Sequence, residues 1–320
     1  MRWALIIAVS GSVSACQALV GDVEIARADA AVSDAAVLDA GRAADAGQAE
    51  AGPQLDAGAR LDASVTVDAG RFFSTNRADF FGAPRCGDDI VLCDDFESSD
   101  AGDFPDPATW SRNATAGITI AIDTTRAARG TKSVRFTTPN VPSEAYIRET
   151  KSFAKTHNAF YGRLFYYQQT PGPQNFAHWN VIEATGPQVV DGVNMTSFYR
   201  YGGVSLGGIF NNYLFQFEHR PREANYVEIG QAEDKHLEPL GRWVCLEWFF
   251  DGDATEGRLW KDGVELPALH ATSPFNGVSF TMPVFNGLNI GWAHYQNLEA
   301  GFEVWVDEVA VDTKRIGCNN

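Results

Sequence analysis

Between Ala4 and Arg71 the chain has no Phe, Tyr or Trp, and 37 of its 38 aromatic residues lie from Phe72 onward. A stretch without aromatic anchors, dense in Ala, Asp and Gly, cannot bury enough apolar surface to offset chain entropy, which predicts a disordered leader. Basic charge is scarce too: 25 Lys and Arg stand against 41 Asp and Glu, a formal charge of −16. Counterion release on a nucleic-acid backbone needs a basic face, so no nucleic-acid partner is expected. Residues 21–70 hold ten acids and three arginines, so part of the excess belongs to the solvated leader. Long apolar runs are missing as well; nothing after the N-terminus approaches the roughly 18 residues that read as a spanning helix. One domain core is therefore expected, over 86–320.

The N-terminus reads as an address. Arg2 precedes an apolar run from Trp3 to Val13, too short to span a hydrocarbon layer of roughly 30 Å as a helix. The run ends in Val13-Ser14-Ala15-Cys16, which resembles a bacterial lipobox with Cys16 as the lipidated first residue of the mature chain. Ordinary cleavage after Ala15 is the alternative. Residues 1–15 are thus expected as a signal peptide and 16–85 as a lipid-anchored linker, the membrane being met through that anchor alone. Asp-Ala-Gly recurs at Asp39, Asp45, Asp56 and Asp68 at irregular intervals, which excludes a solenoid. As a flexible acidic tether such a segment reaches about 45 Å at roughly 5–6 Å × √n. The expected location is the outer membrane or cell surface of a bacterium.

Cysteines are few. Beyond Cys16 only Cys86, Cys93, Cys245 and Cys318 remain, an even number that in an exported domain predicts two disulfides with three possible connectivities. Zinc is the competing reading, but six residues separate Cys86 from Cys93 and no His is near.

From there the chain reads as all-β. Runs rich in Val, Ile, Phe, Tyr, Trp and Thr alternate with Gly, Pro, Asn and Asp punctuation. Strands are expected over residues 89–97, 117–122, 132–137, 144–153, 160–168, 178–184, 195–201, 213–218, 243–250, 257–260, 286–294 and 302–311. Lys261-Asp262-Gly263 between two apolar runs predicts a hairpin. A helix candidate around 228–238 has no apolar stripe. A dozen strands of this length predict two packed antiparallel sheets, a sandwich or jelly roll. In residues 243–250, Val244, Leu246, Trp248 and Phe250 form one apolar face. In the last strand Trp305, Asp307, Val309 and Val311 are expected to share a face, where a bare buried carboxylate would cost several kcal/mol.

Four segments carry a resemblance: Cys93-Asp94-Asp95-Phe96-Glu97, Gly130-Thr131-Lys132-Ser133-Val134, Trp243-Val244-Cys245-Leu246-Glu247-Trp248 and Val304-Trp305-Val306-Asp307-Glu308-Val309. Together they resemble the concanavalin A-like lectin/glucanase jelly roll. More narrowly, they resemble the cellulose-induced (Cip-type) secreted proteins, akin to lyases of glucuronan, alginate and heparin. The resemblance implies antiparallel pairing of the first and last strands, with a structural Ca2+ between them. Glu97 and Asp307 would supply carboxylates, and the turn around Thr131 and Ser133 would supply carbonyls. Hard calcium takes such oxygen ligands. A register that sets Glu97 opposite Asp307 also sets Cys86 opposite Cys318, which leans the disulfides towards that pair. The alternative is two solvated acids at a sheet edge.

A saccharide groove needs aromatic faces for sugar rings and polar groups for hydroxyls. Candidates that share strand parity are Tyr146 with Arg148, Arg163 with Tyr167, His178 with Asn180, Tyr199 with Tyr201, and Gln216 with Glu218. Asn289, Gly291, Ala293 and Tyr295 form a last set. Hydrolysis would need two carboxylates flanking the bond. Jelly-roll glucanases carry theirs as Glu-x-Asp-x-x-Glu, and no such run occurs here. β-Elimination on a uronic-acid chain needs a cation at the carboxylate, a base for the ring proton and an acid for the departing oxygen. Arg148, His178 and Tyr295 are the expected trio. Residues 146–150 resemble the Arg-bearing strand of alginate lyases, His178 their strand His and Tyr295-Gln296 their late Tyr. Tyr146, Arg163, Tyr167, Asn180, Tyr199 and Gln216 are expected to bind substrate, a uronan or a plant or microbial cell-wall glycan. Two readings stay open: a polysaccharide lyase, or a non-catalytic carbohydrate-binding jelly roll.

Overall fold

Alternation with period two, interrupted by turn residues, makes strands with one apolar face each. The computed structural model describes residues 66–68, 71–87, 89–205, 211–220, 227–231 and 240–320. Cys16, the signal segment and nearly all of the tether lie outside the described residues.

Eighteen strands occur among those described. The first six are β1 (Thr66–Asp68), β2 (Arg71–Phe73), β3 (Leu92–Asp94), β4 (Ser111–Ala114), β5 (Thr119–Asp123) and β6 (Ser133–Thr138). Then come β7 (Ser143–Glu149), β8 (Ala159–Gln168), β9 (Ala177–Val190), β10 (Val193–Ser205), β11 (Asn211–Arg220) and β12 (Val227–Gln231). The last are β13 (Trp243–Asp251), β14 (Glu256–Lys261), β15 (Val264–Glu265), β16 (Ala271–Thr272), β17 (Gly287–His294) and β18 (Phe302–Asp312). A seven-stranded sheet runs β12-β11-β10-β9-β17-β7-β4, and a nine-stranded sheet runs β15-β14-β13-β8-β18-β6-β5 with β16 and β3 at its margins. Every ladder between named strands is antiparallel. This is the two-sheet jelly-roll sandwich. Its core is apolar and aromatic, with Trp179, Trp292, Tyr201, Phe215, Trp248 and Phe250 all buried between the sheets. The expected hairpin forms at β14–β15, where Asp262 (φ 49°) and Gly263 (φ 80°) make the left-handed turn. Part of the helix candidate is strand β12.

Register shifts interrupt four of the ladders, and those in β9 and β18 reset which side chains face the core. In β9 the register shifts between the partners of Tyr201 and Gly202, leaving Val181 as the extra residue, so Trp179, Val181, Ile182 and Ala184 all face the core. Gly202 lets β10 close over this bulge, since a Cβ there would collide with the Trp179 carbonyl and the Asn180 side chain. In β18 the shift falls between Asp307 and Ala310, with Glu308 at φ 47°. Val304 and Val306 face the core before it, Val309 and Val311 after it. The face expected to hold Trp305 with Val309 is therefore split: Trp305 lies outside the main core, against Tyr167 and Arg126.

Residues 71–85 and the segment after β18 cover the outer face of the nine-stranded sheet. Phe73 and Phe80 are buried, Arg71 pairs with Asp312 at 2.8 Å, and Arg315 stacks over Phe73 and Trp260. Packed structure thus begins upstream of Cys86. The disulfides are Cys86–Cys93 and Cys245–Cys318. This corrects the lean towards Cys86–Cys318: β3 pairs with β18 one position off that register, with Asp94 beside Val309 and Cys93 beside Ala310, and the ladder ends at Leu92, so Cys86 lies outside it and closes onto Cys93. Cys318 instead folds across β13 to Cys245.

Candidate functional site

The outer face of the seven-stranded sheet carries a row of polar residues at paired positions. Ser111, Arg148, Asn289, Glu183, Arg200, Gln216 and Glu228 follow one another from β4 to β12. Beside this row opens a cavity of about 310 Å³ lined by His178, Arg200, Glu218, Arg220, Tyr295 and Gln296.

Arg200 forms its floor. The side chain is 1% exposed, with Nε 2.5 Å from Glu183 and an outer nitrogen 2.9 Å from Glu218. Burial works against its charge, but Tyr295, Glu183, Tyr146 and Glu218 outweigh it and hold the guanidinium protonated. Phe198 and Tyr295 lie under it at 5.2 and 5.9 Å. Glu218 also accepts from Arg220 at 3.0 Å, so one carboxylate spans both cations, and Arg220 reaches Glu144 at 3.4 Å. Burial raises the Glu218 carboxyl, yet Arg220 and Arg200 bring it below its ordinary range.

Tyr295 follows β17, and its N–H donates to the His178 carbonyl, while the His178 N–H donates to Gln296 Oε1 at 2.6 Å. These bonds tie the late loop to the start of β9. Gln216 Nε2 donates to Asn180 Oδ1, and Asn180 Nδ2 donates to the Tyr295 hydroxyl oxygen at 2.5 Å, which fixes both amides. Burial pushes the Tyr295 phenol up to about 12 against the opposing pull of Arg200, leaving it a proton donor at neutral pH. The His178 imidazole meets Glu228 through Nε2 at 2.5 Å. Tyr146 lies wholly buried beneath, its hydroxyl without a hydrogen-bond partner among the described residues, and burial raises its pKa strongly.

The fold therefore brings His178, Asn180, Gln216 and Tyr295 together, with Tyr146 below them. Other expected residues lie elsewhere. Arg148 shares the polar row but leans onto Gly287, donating to Asn289 at 3.2 Å and Thr185 at 3.1 Å, and the cations that line the cavity are Arg200 and Arg220. Arg163 belongs to the other sheet, wholly buried and paired with Glu308 at 2.7 Å. Tyr167, on the same strand, packs against Trp243, Trp305 and Arg126. Tyr199 faces the inter-sheet core, its hydroxyl donating to the Thr281 carbonyl. Parity reasoning gave the groove to the tyrosines of residues 198–201 and missed Arg200. The usable signal was the charge itself, because a guanidinium turned into an apolar core would lack a partner.

At the residues expected to hold calcium, the carboxylates accept from N–H and hydroxyl donors. Glu97 accepts from the Thr131 N–H (2.6 Å), the Thr131 hydroxyl (2.7 Å) and the Lys132 N–H (2.8 Å). Asp307 accepts from the amides of Ala128 (2.7 Å), Arg129 (3.0 Å) and Glu308 (2.8 Å). Ser133 donates its hydroxyl to the Arg126 carbonyl. Between the Glu97 and Ser99 carbonyls, at 2.8 and 2.7 Å, sits the Lys132 ammonium. No cluster of three or more metal-ligating side chains occurs among the described residues.

No protein-family model matches the sequence, and no curated protein matches it. Solved structures do. The chain is similar to cellulose induced protein Cip1, with a TM-score of 0.52 and 20% identity over 71% of this chain and 99% of that one. It is similar also to alginate lyase Aly36B (TM-score 0.49, 9% identity, 70% and 97% covered). A third match is endo-β-1,4-glucuronan lyase from the fungus Trichoderma reesei (TM-score 0.47, 13% identity, 68% and 95% covered). At such identities the likeness to Cip1 establishes the shared jelly-roll fold.

Proposed function

We propose that this protein is a carbohydrate-active jelly roll whose cavity takes a uronic-acid-containing polysaccharide and cleaves it by β-elimination. The observation that carries the reading is the convergence of two arginines, a carboxylate-paired histidine and a neutral tyrosine on one cavity. Arg200, with Arg220 at the rim, neutralises the uronate carboxylate and so acidifies the ring C5–H. His178 removes that proton, and Glu228 stabilises the imidazolium that forms. The electron pair becomes the C4=C5 double bond as C4–O breaks, and Tyr295 gives its proton to the departing oxygen. Asn180 orients the phenol. The two disulfides agree with an exported, oxidising setting. The lipid anchor at Cys16 belongs to the same proposal.

The test is direct. Purified protein incubated with glucuronan, polymannuronate and polyguluronate is expected to release an unsaturated product that absorbs near the ultraviolet edge. No absorbance from any uronan, with or without added calcium, overturns the catalytic reading. A second reading, binding without cleavage, is favoured by one observation: Glu218 and Glu144 already engage the arginines that a substrate carboxylate would need. It predicts retained affinity and no product.

A further inference from the structure

Among the described phenylalanines most are buried or half-buried; Phe176 is 50% exposed, and Phe72 is the only other comparably open one. Phe176 precedes β9 by one residue and shares parity with His178 and Asn180, which places the three on one face in order from rim to floor. Their exposure falls in the same order: half for the Phe176 residue, 17% for the His178 side chain and none for Asn180. The phenyl ring stands 4.8 Å from the imidazole at an interplanar angle of 89°. An exposed phenyl packed against a cavity-lining histidine offers a ring face whose negative potential attracts the slightly positive C–H groups of a flat apolar ligand.

We propose that Phe176 is a sugar-stacking platform at the mouth of the cavity, and that it selects pyranoses with equatorial substituents. The inference rests on the saccharide reading of the cavity and adds a specificity to it. A β-linked glucuronate ring has its hydroxyl and carboxylate groups equatorial, so axial C–H bonds cover both faces and one face can lie on a phenyl. Guluronate has axial oxygens and axial linkages, which hold a ring face away from an aromatic plane. Stacking on Phe176 sets the ring beside His178, with its carboxylate turned towards Arg200 and Arg220.

The experiment uses the full chain and three probes: glucuronan oligosaccharides, polyguluronate blocks and neutral cello-oligosaccharides. Phe176→Trp is read as fluorescence in excess of the wild-type signal, and Phe176→Ala as KM, kcat and affinity. Glucuronan oligosaccharides are expected to give a saturable blue shift in Phe176→Trp, with little response to polyguluronate. Phe176→Ala is expected to raise KM by about tenfold with kcat nearly held, the scale of one aromatic contact. A shift without product from any variant supports the platform and removes the lyase reading. Cleavage by the wild type with both variants unchanged overturns the platform and leaves the lyase reading standing. Equal responses to glucuronan and polyguluronate, or silence from every probe, overturn the inference.

Discussion

At the scale of single residues, Arg200 controls the cavity. Its guanidinium is buried, and Glu183 and Glu218 are the anions that make burial tolerable. Arg200→Met is expected to lower stability by about 3–5 kcal/mol, because Glu183 loses its buried cation and Glu218 one of its two. Urea unfolding should show that loss, and Arg200→Met with Glu183→Gln should recover part of it. For the reaction, His178→Ala and Tyr295→Phe are each expected to reduce kcat by about 10²–10⁴-fold with the melting temperature nearly kept. Product formation by either at the wild-type rate would remove that residue from the chemistry. Glu218 adds a pH dependence of definite sign. Its folded pKa lies below the ordinary 4.5, so its contribution is present above that value and lost as pH falls through the lower folded one. Stability measured from pH 6 down to pH 3 should fall more steeply in the wild type than in Glu218→Gln. Sequence parity alone was enough to link His178 with Asn180 and Gln216 with Glu218. Arg200 escaped because its neighbours Tyr199 and Tyr201 drew the assignment of the groove face to the opposite parity.

At the scale of elements, the bulges and the turn at Thr131–Lys132 set the geometry. The twelve expected strands all have counterparts, since alternation and turn chemistry are local signals. β4 was missed because Ser111-Arg112-Asn113-Ala114 has no apolar alternation; it is an edge strand with two exposed residues. Bulges were not legible, because one extra residue leaves composition unchanged while turning every later side chain over. At the 130–134 turn, marked by the resemblance, the Lys132 ammonium bridges the carbonyls of Glu97 and Ser99. Dialysis against a chelator is therefore expected to leave the melting temperature unchanged, whereas Lys132→Met should cost about 1–3 kcal/mol through two unmet carbonyls and a lost charge-assisted bond. A large melting shift on chelation, with Lys132→Met neutral, would show that a divalent ion holds this edge.

For the molecule as a whole, the covalent links and the segments at residues 71–85 and after β18 decide which face of the sandwich is covered among the described residues. Cys245–Cys318 closes a span of 73 residues and Cys86–Cys93 one of seven. Loop-closure entropy predicts that loss of the longer link costs about 4 kcal/mol and of the shorter about 2. Paired Cys→Ser variants compared by denaturant unfolding test this order; equal costs would mean that the C-terminal segment stays docked without its disulfide. That segment, with residues 71–85, covers the nine-stranded sheet and buries Arg163 against Glu308. The groove is left on the other sheet. Read from the sequence, both sheets offered aromatic and arginine rows of equal promise. By itself the chain dictated its strands, its apolar faces, its even cysteine count and the pairs of groove side chains lying two residues apart, because each depends on neighbours within a few positions. Which sheet carries the cavity, which cations line it and which cysteines meet were decided only by the tertiary structure, since each depends on registers and bulges that bring together residues tens to hundreds of positions apart.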